Sequence, residues 1–596
     1  MTNTTNPDST APLDVETSAS ELNRAALWQL IALIMASLGV IVLVMYALNW
    51  AAQATGSQSA ATDAVNFEAR SISVLVDQEP PQLDAMKATD QVSASILGHI
   101  MEGLLRYDVN NNLVAGTAER WEIRPDGATF WIREDARWSD GEPVTAHDFR
   151  FAWRTALEPA TASQYAFILF PVKNAEAINT GKMPGESLGV RAVSDKVLEV
   201  EFQQPIAFFE KLVAAPTYYP AREDFYNSMD GRYGADADTM LYNGAFNLTS
   251  WVHNASMRMD KSPYYWDRDN IFLNTIHVPF ITSDRQAGVN LFKDGRIALA
   301  QLDGETLPTA LAQRWHVSRL ADGSVYYLEF NHRPERIGHN LNFRRAIQYT
   351  MDQAELVYKV VKIPGYVPGV SLFPAWVKGV SGPLRQEYPP QRIAPDRDKA
   401  RAYLQAALKD MGLKKMPPLV VLSGDTPLAR KHSEYMQAEL KKHLDIDVKI
   451  DRQIFKQRLA KMRAGEFDMV MSGWGPDFDD ALTFGDLFAS WNLQNRGRYS
   501  NPDLDAQVRI AQGSIDTQVR MDAFGEIQRL LIEDAVIIPD YERGRVFVAD
   551  KRLQDIGRRA IGPDPDFSRV WLTETDQPTE QTPDQTPDQS TQGAAN

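Results

Sequence analysis

Between Pro418 and Asp477 the spacing of apolar residues changes four times. Leu419–Ser423 is a short apolar run that predicts a buried strand, and Leu428–His443 has helical composition. Val448 and Ile450 then alternate with polar neighbours across Asp447–Asp451, Phe455–Ala464 reads as a second helix stopped by Gly465, and Phe467–Met471 is another buried strand. Strand, helix, strand, helix, strand predicts an α/β unit with parallel strands, and ligands of such sheets bind beyond the carboxyl ends of the strands. Gly473-Trp474-Gly475-Pro476-Asp477 falls at that place.

Upstream, Ala400, Tyr403, Leu404, Ala407, Leu408 and Met411 form one apolar helical stripe between Asp396 at the start and Gly412 at the stop, which predicts core packing. A further helix opens near Thr145, whose hydroxyl can cap while Asp148 adds negative charge to the first turn; Phe149, Ala152, Trp153 and Ala156 would be its buried stripe.

From Ala25 to Trp50 no charged residue occurs, and at 1.5 Å per residue this helix would be about 39 Å long, enough for a hydrocarbon layer of about 30 Å. Trp28 near one end and Tyr46 and Trp50 near the other suit the lipid interface, and Arg24 places the N-terminus in the cytoplasm. A cleaved signal peptide ending at Ala52-Gln53-Ala54 fits less well, because the apolar stretch is long and the preceding segment carries four acidic residues. Residues 51–65 have the composition of a flexible tether, and 573–596, with Thr-Pro-Asp-Gln in tandem, that of a disordered tail.

The chain has 596 residues, 44% of them hydrophobic, which predicts two or three compact lobes. A net charge of −16 argues against nucleic acid as a partner. The absence of cysteine excludes disulfides, thiol nucleophiles and a lipid-modified N-terminal cysteine. Gly185-Glu186-Ser187-Leu188-Gly189 matches the hydrolase elbow pattern but lacks a strand before the serine and a helix after it, so Ser187 is expected on a surface loop. The nine histidines are scattered, and neither Asp236 with Asp238 nor Asp477 with Asp479 and Asp480 has the rest of a calcium loop. No catalytic residue, metal site or cofactor is expected.

From about Ser71 to Trp571 the chain resembles the family 5 extracellular solute-binding proteins, specifically the oligopeptide-binding proteins of bacterial ABC importers. The likeness is carried by Ala118-Glu119-Arg120-Trp121-Glu122 and Trp138-Ser139-Asp140-Gly141-Glu142-Pro143-Val144-Thr145-Ala146-His147-Asp148-Phe149. It continues through Asn243-Gly244-Ala245-Phe246, Pro263-Tyr264-Tyr265-Trp266-Asp267, Phe343-Arg344-Arg345-Ala346 and Tyr499-Ser500-Asn501-Pro502-Asp503.

The resemblance implies a two-lobed α/β clamp of the periplasmic type II kind with an extra domain, closing by hinge motion, here preceded by one transmembrane helix. The expected division is 1–24 cytoplasmic, 25–50 anchor, 51–65 linker, 66–101 with 225–323 and 541–572 as lobe I, 102–224 as the additional domain, 324–540 as the remaining lobe, and 573–596 as tail. Its implied function is a non-enzymatic, monomeric receptor in the periplasm on the inner membrane. It would capture short peptides and deliver them to an ABC permease and its ATPase subunits. A non-peptide solute, or a membrane-bound peptide sensor, stays open as an alternative.

By the same resemblance Asp477 would anchor the peptide ammonium, with Trp474, Gly475, Tyr165 and Tyr327 lining the cleft. Family members can carry a basic residue just before the Gly-Trp pair; here Met471 and Ser472 stand there, with Lys461 and Arg463 nearby.

Overall fold

A computed structural model describes residues 63–574 together with Trp28, Gln29, Leu33, Met35 and Gly39, which are helical. Most of the expected 25–50 span, the linker to residue 62 and the tail beyond 574 lie outside the described residues; among the described residues no helix is long and apolar enough to cross a membrane. The chain divides into two units, 1–62 and 63–596.

Three larger sheets build the second unit. The first has five strands in the order Val65–Asn66, Ser71–Val76, Thr275–Ile281, Ser256–Lys261, Phe246–Val252, antiparallel except for the parallel pair Ser71–Val76 and Thr275–Ile281. The second is an antiparallel sheet of four, Ala118–Arg124, Gly127–Ile132, Val197–Glu201, Val190–Ser194. Alternation directs Phe130, Ile132, Leu198 and Val200 to one buried face. Helix Ala146–Leu157 opens at Thr145 as expected, and Asp148 does more than add charge, closing a capping box with Thr145; Phe149, Ala152, Trp153 and Ala156 are all fully buried. Trp153 donates from Nε1 to the Tyr218 carbonyl at 2.9 Å, so its ring is buried without leaving its one polar atom unpaired.

The third sheet holds the α/β pattern read from the sequence. Leu419–Gly424, Pro427–Leu444, Val448–Gln453, Phe455–Ala464 and Met469–Trp474 alternate as strand and helix, and the three strands are mutually parallel in the order Met469–Trp474, Leu419–Gly424, Val448–Gln453. Helices cover both faces of the two inner strands, Leu419–Gly424 and Met469–Trp474, which are therefore near-continuous apolar runs, while the edge strand Val448–Gln453 alternates polar and apolar residues. Leu459 and Met462 pack on Leu422 and Val470, while Met436, Leu440, Ala400, Leu404 and Ala407 pack in the cluster that contains Val421 and Met469. Helix Arg397–Asp410 is capped by Asp396, which accepts from Asp398 N and Lys399 N, and stops before Gly412 at φ +66°.

Met469–Trp474 also pairs antiparallel with the long strand Ser318–Phe330, which in turn pairs with Ile537–Ala549. The divisions expected at 323/324 and 540/541 fall inside these two strands. Their pairing shifts register between Ala321 and Val325, at Gly323 with φ +75°.

Candidate functional site

The strand Met469–Trp474 ends at a cavity of about 450 Å³, a volume typical of small-ligand sites. All five residues singled out in the sequence line it: Asp477, Trp474, Gly475, Tyr165 and Tyr327. They come from three places in the chain. Tyr165 precedes the short helical turn Ala166–Leu169, Tyr327 sits on Ser318–Phe330 opposite Ser472, and the other three follow from the strand end.

Tyr165 and Trp474 stack with centroids 5.8 Å apart, and Tyr165 Oη donates to Asp477 Oδ1 at 3.3 Å. The Asp477 backbone N–H donates to Thr483 Oγ1 at 2.9 Å. Among the described residues no cation pairs with Asp477, and burial pushes its carboxyl up to about 7 despite the tyrosine hydroxyl. Its side chain keeps some exposed surface because it faces the cavity. It does not cap the following helix: Asp480 accepts from Leu482 N at 3.0 Å and is itself paired with buried Arg520 at 2.6 Å. Asp486, buried nearby, is held well above the usual carboxylate range by burial and by the charge of Asp477.

Trp474 Nε1 is buried with no hydrogen-bond partner, a donor on a cavity-lining side chain. Gly475 is required by close approach, since a Cβ there would lie 1.7 Å from Gln91 Nε2. Gln91 in turn accepts from Arg543 Nη2 at 2.9 Å. Tyr327 is buried edge-on to Phe488.

Other charges along the cavity are mostly compensated. Asp322, 2% exposed, accepts from Arg543 Nε at 2.5 Å and Arg545 Nε at 2.7 Å, and these cations hold it below the usual carboxylate range in spite of burial. Arg285 forks onto Asp77 at 2.6 and 2.8 Å. Asp90 caps helix Gln91–Ile100 through Ser93 N and Ser93 Oγ, both at 2.8 Å, and burial raises it to about 6. His432 lies 3.4 Å from Asp540; burial lowers the imidazole to about 3 and raises the carboxyl, in both cases disfavouring the charged form.

Sequence reasoning missed Arg458 and Arg496. Of the basic residues considered beside Met471, Lys461 is taken up by Asp451 at 2.5 Å and Arg463 is exposed. Arg458 lines the cavity, donating from Nη1 to the Met471 carbonyl at 3.0 Å. The available signal was helical spacing: Phe455, Arg458, Leu459 and Met462 share one face of their helix, and all four line the cavity. Ser187 lies in an exposed turn, its Oγ donating to the Pro184 carbonyl at 2.7 Å, with strands rather than a helix following.

A family model described as bacterial extracellular solute-binding proteins, family 5 middle, matches residues 112–495. The dipeptide-binding protein DppE of Bacillus subtilis is 30% identical over 488 residues, covering 82% of this chain and 89% of its own length. The oligopeptide-binding protein OppA of the same organism is 31% identical over 498 residues, covering 81% and 90%. Among solved structures, Listeria monocytogenes OppA bound to peptide is similar with a TM-score of 0.80 and 30% identity, covering 85% of this chain and 99% of that one.

Proposed function

The chain belongs to the bacterial extracellular solute-binding proteins of family 5, and from that membership we propose that it is an extracytoplasmic receptor that captures short peptides in its cleft and delivers them to an ABC import permease. The relatives named above bind dipeptides or oligopeptides, which supports peptide as the ligand class.

One observation carries the reading to a residue: Asp477 is a cavity-lining carboxylate with no cation of its own among the described residues. A folded protein keeps such a group only at a cost in stability, which a ligand ammonium removes. Asp477 anchors the peptide amino group, and Tyr165 holds the carboxylate in position from the side. Trp474 and Tyr327 wall the cleft, and Gly475 allows Gln91 to approach.

The protein performs no covalent step. Selectivity between loaded and empty receptor comes from closure, because ligand shifts the equilibrium only as far as it prefers the closed form. In the described form Lys211 Nζ donates to the Asp479 carbonyl at 2.6 Å and Gln494 Nε2 to the Gln164 carbonyl at 3.3 Å, joining segments more than 200 residues apart beside the anchor. Residues 25–50 tether the receptor to the inner membrane, with the lobes in the periplasm.

Native mass spectrometry of the full chain, purified without added ligand, tests this. Heterogeneous bound masses that release as short peptides, and are lost in Asp477→Ala, are expected. A single non-peptide mass, or peptide retained by the variant at parental occupancy, would overturn the assignment.

A further inference from the structure

Two guanidiniums on the cavity wall lack a carboxylate partner. Arg458 spends Nη1 on the Met471 carbonyl, and its buried Nε is unbonded. Arg496, 7% exposed, uses Nη2 on Gln494 Oε1 at 2.6 Å and Nη1 on the Met462 sulfur at 3.5 Å; its Nε too is buried and unbonded. Neither forms an ion pair among the described residues. Glu329, the carboxyl that acts most strongly on Arg496, accepts from Gly497 N at 2.7 Å and makes no salt bridge with the guanidinium. Asp425, the carboxylate that acts on Arg458, is exposed.

Burial holds both guanidiniums below their usual range, and like charge adds to it, from Arg496 at Arg458 and from Arg463 at Arg496. Every other arginine named along the cavity has a carboxylate. Burying two cations without a counter-charge is costly, so an anion that completes them binds with the opposite sign of energy.

Position separates this pair from a distant ligand terminus. Arg496 bonds Gln494, which donates to the Gln164 carbonyl next to Tyr165, and it bonds Met462, one turn along the helix from Arg458. The basic pair therefore lies beside the ammonium anchor, within reach of a side chain from the first residues of a ligand. The far end of an extended peptide recedes by about 3.3–3.6 Å per residue. Leu459, Met462 and Tyr327 supply apolar walls for the methylenes of such a side chain.

We propose that Arg458 and Arg496 form the floor of an acidic side-chain subsite, so that the receptor favours peptides bearing a glutamate or aspartate close to the amino terminus. This rests on the peptide-receptor reading and narrows its substrate class.

The test is calorimetric titration of the full chain with alanine tetrapeptides carrying Glu or its isostere Gln at each position in turn, each made with a free and an amidated C-terminus. A charge-assisted contact is worth about tenfold or more in affinity. Glu should exceed Gln by that factor at one of the first two positions, with either C-terminus, and the ratio should fall to about one in Arg458→Gln and Arg496→Gln. Arg458→Lys, which keeps the charge, should retain part of the preference and guards against a variant that merely misfolds.

Equal affinities for Glu and Gln at every position would overturn the proposal. So would a preference that survives both Gln variants, or one present only with a free C-terminus, which would mean that the terminal carboxylate is what is read. Failure of every peptide to bind would instead sink the peptide reading, and the subsite with it.

Discussion

Replacing Asp477 by Asn separates a ligand anchor from a structural residue, because the two roles predict opposite signs. Asn keeps the shape and an acceptor for Tyr165 Oη while removing the charge. In the ligand-free protein the carboxyl is raised from 3.8 to about 7 by burial; at 1.36 kcal/mol per pKa unit its ionised form costs on the order of 4 kcal/mol, reduced by whatever water enters the open cleft. The penalty is absent only well below pH 3.8, where folded and unfolded chains both carry the proton. It grows as pH rises toward 7, because the unfolded chain has already released its proton while the folded one retains it, and it stays constant above pH 7.

Ligand-free Asp477→Asn should therefore be more stable than the parent at pH 8, by roughly 2–4 kcal/mol, and no more stable at about pH 2.5. Its affinity for a peptide with a free amino group should fall by about 3–5 kcal/mol, on the order of 150- to 5,000-fold. Denaturant unfolding of stripped protein at the two pH values and calorimetric titration with free and N-acetylated peptides measure both quantities. A variant destabilised at pH 8, or one that binds the free peptide as tightly as the parent does, would refute the reasoning.

Parent affinity should fall by up to about tenfold per pH unit between pH 7 and 5, as Asp477 must shed a proton to pair, and this slope should vanish in Asp477→Asn. Asp322→Asn leaves Arg543 against a neutral amide, while Arg545 keeps Asp564 at 3.1 Å; a loss of roughly 3–5 kcal/mol in denaturant unfolding is expected, and a change below 1 kcal/mol would contradict it. Gly475→Ala drives a methyl into Gln91 and forfeits its bonds to Arg543 and Ser324, so peptide affinity should drop about tenfold with little change in unfolding. Ser187→Ala, at an exposed turn, should alter stability by no more than about 0.5 kcal/mol and leave peptide affinity unchanged by titration.

The elements of the parallel unit and the two helices Ala146–Leu157 and Arg397–Asp410 were legible in the sequence within a few residues. Side-chain direction in helices and strands is a local property, so apolar spacing reports the buried face before any partner is known. Capping is equally local: Thr145 with Asp148, and Asp396 with Asp398 and Lys399, lie within three residues of each other in the chain. The clustering of Asp477, Trp474 and Gly475 at a strand end followed from the same reading. Tyr165 and Tyr327 came only from resemblance, since nothing in their surroundings marks either as facing the cleft.

Charge was the part that sequence left open. Asp477, Asp479 and Asp480 are equivalent in composition, yet Asp480 meets Arg520, forty residues on, while Asp477 meets no cation among the described residues. Arg458, Lys461 and Arg463 share one helix, and only the first faces the cavity, because the sheet beneath decides which side of the helix is covered. Periodicity and caps depend on residues a few positions apart and are written in the chain itself. Whether a buried charge is paired depends on groups that folding brings together from hundreds of residues away, and only the tertiary structure decides that.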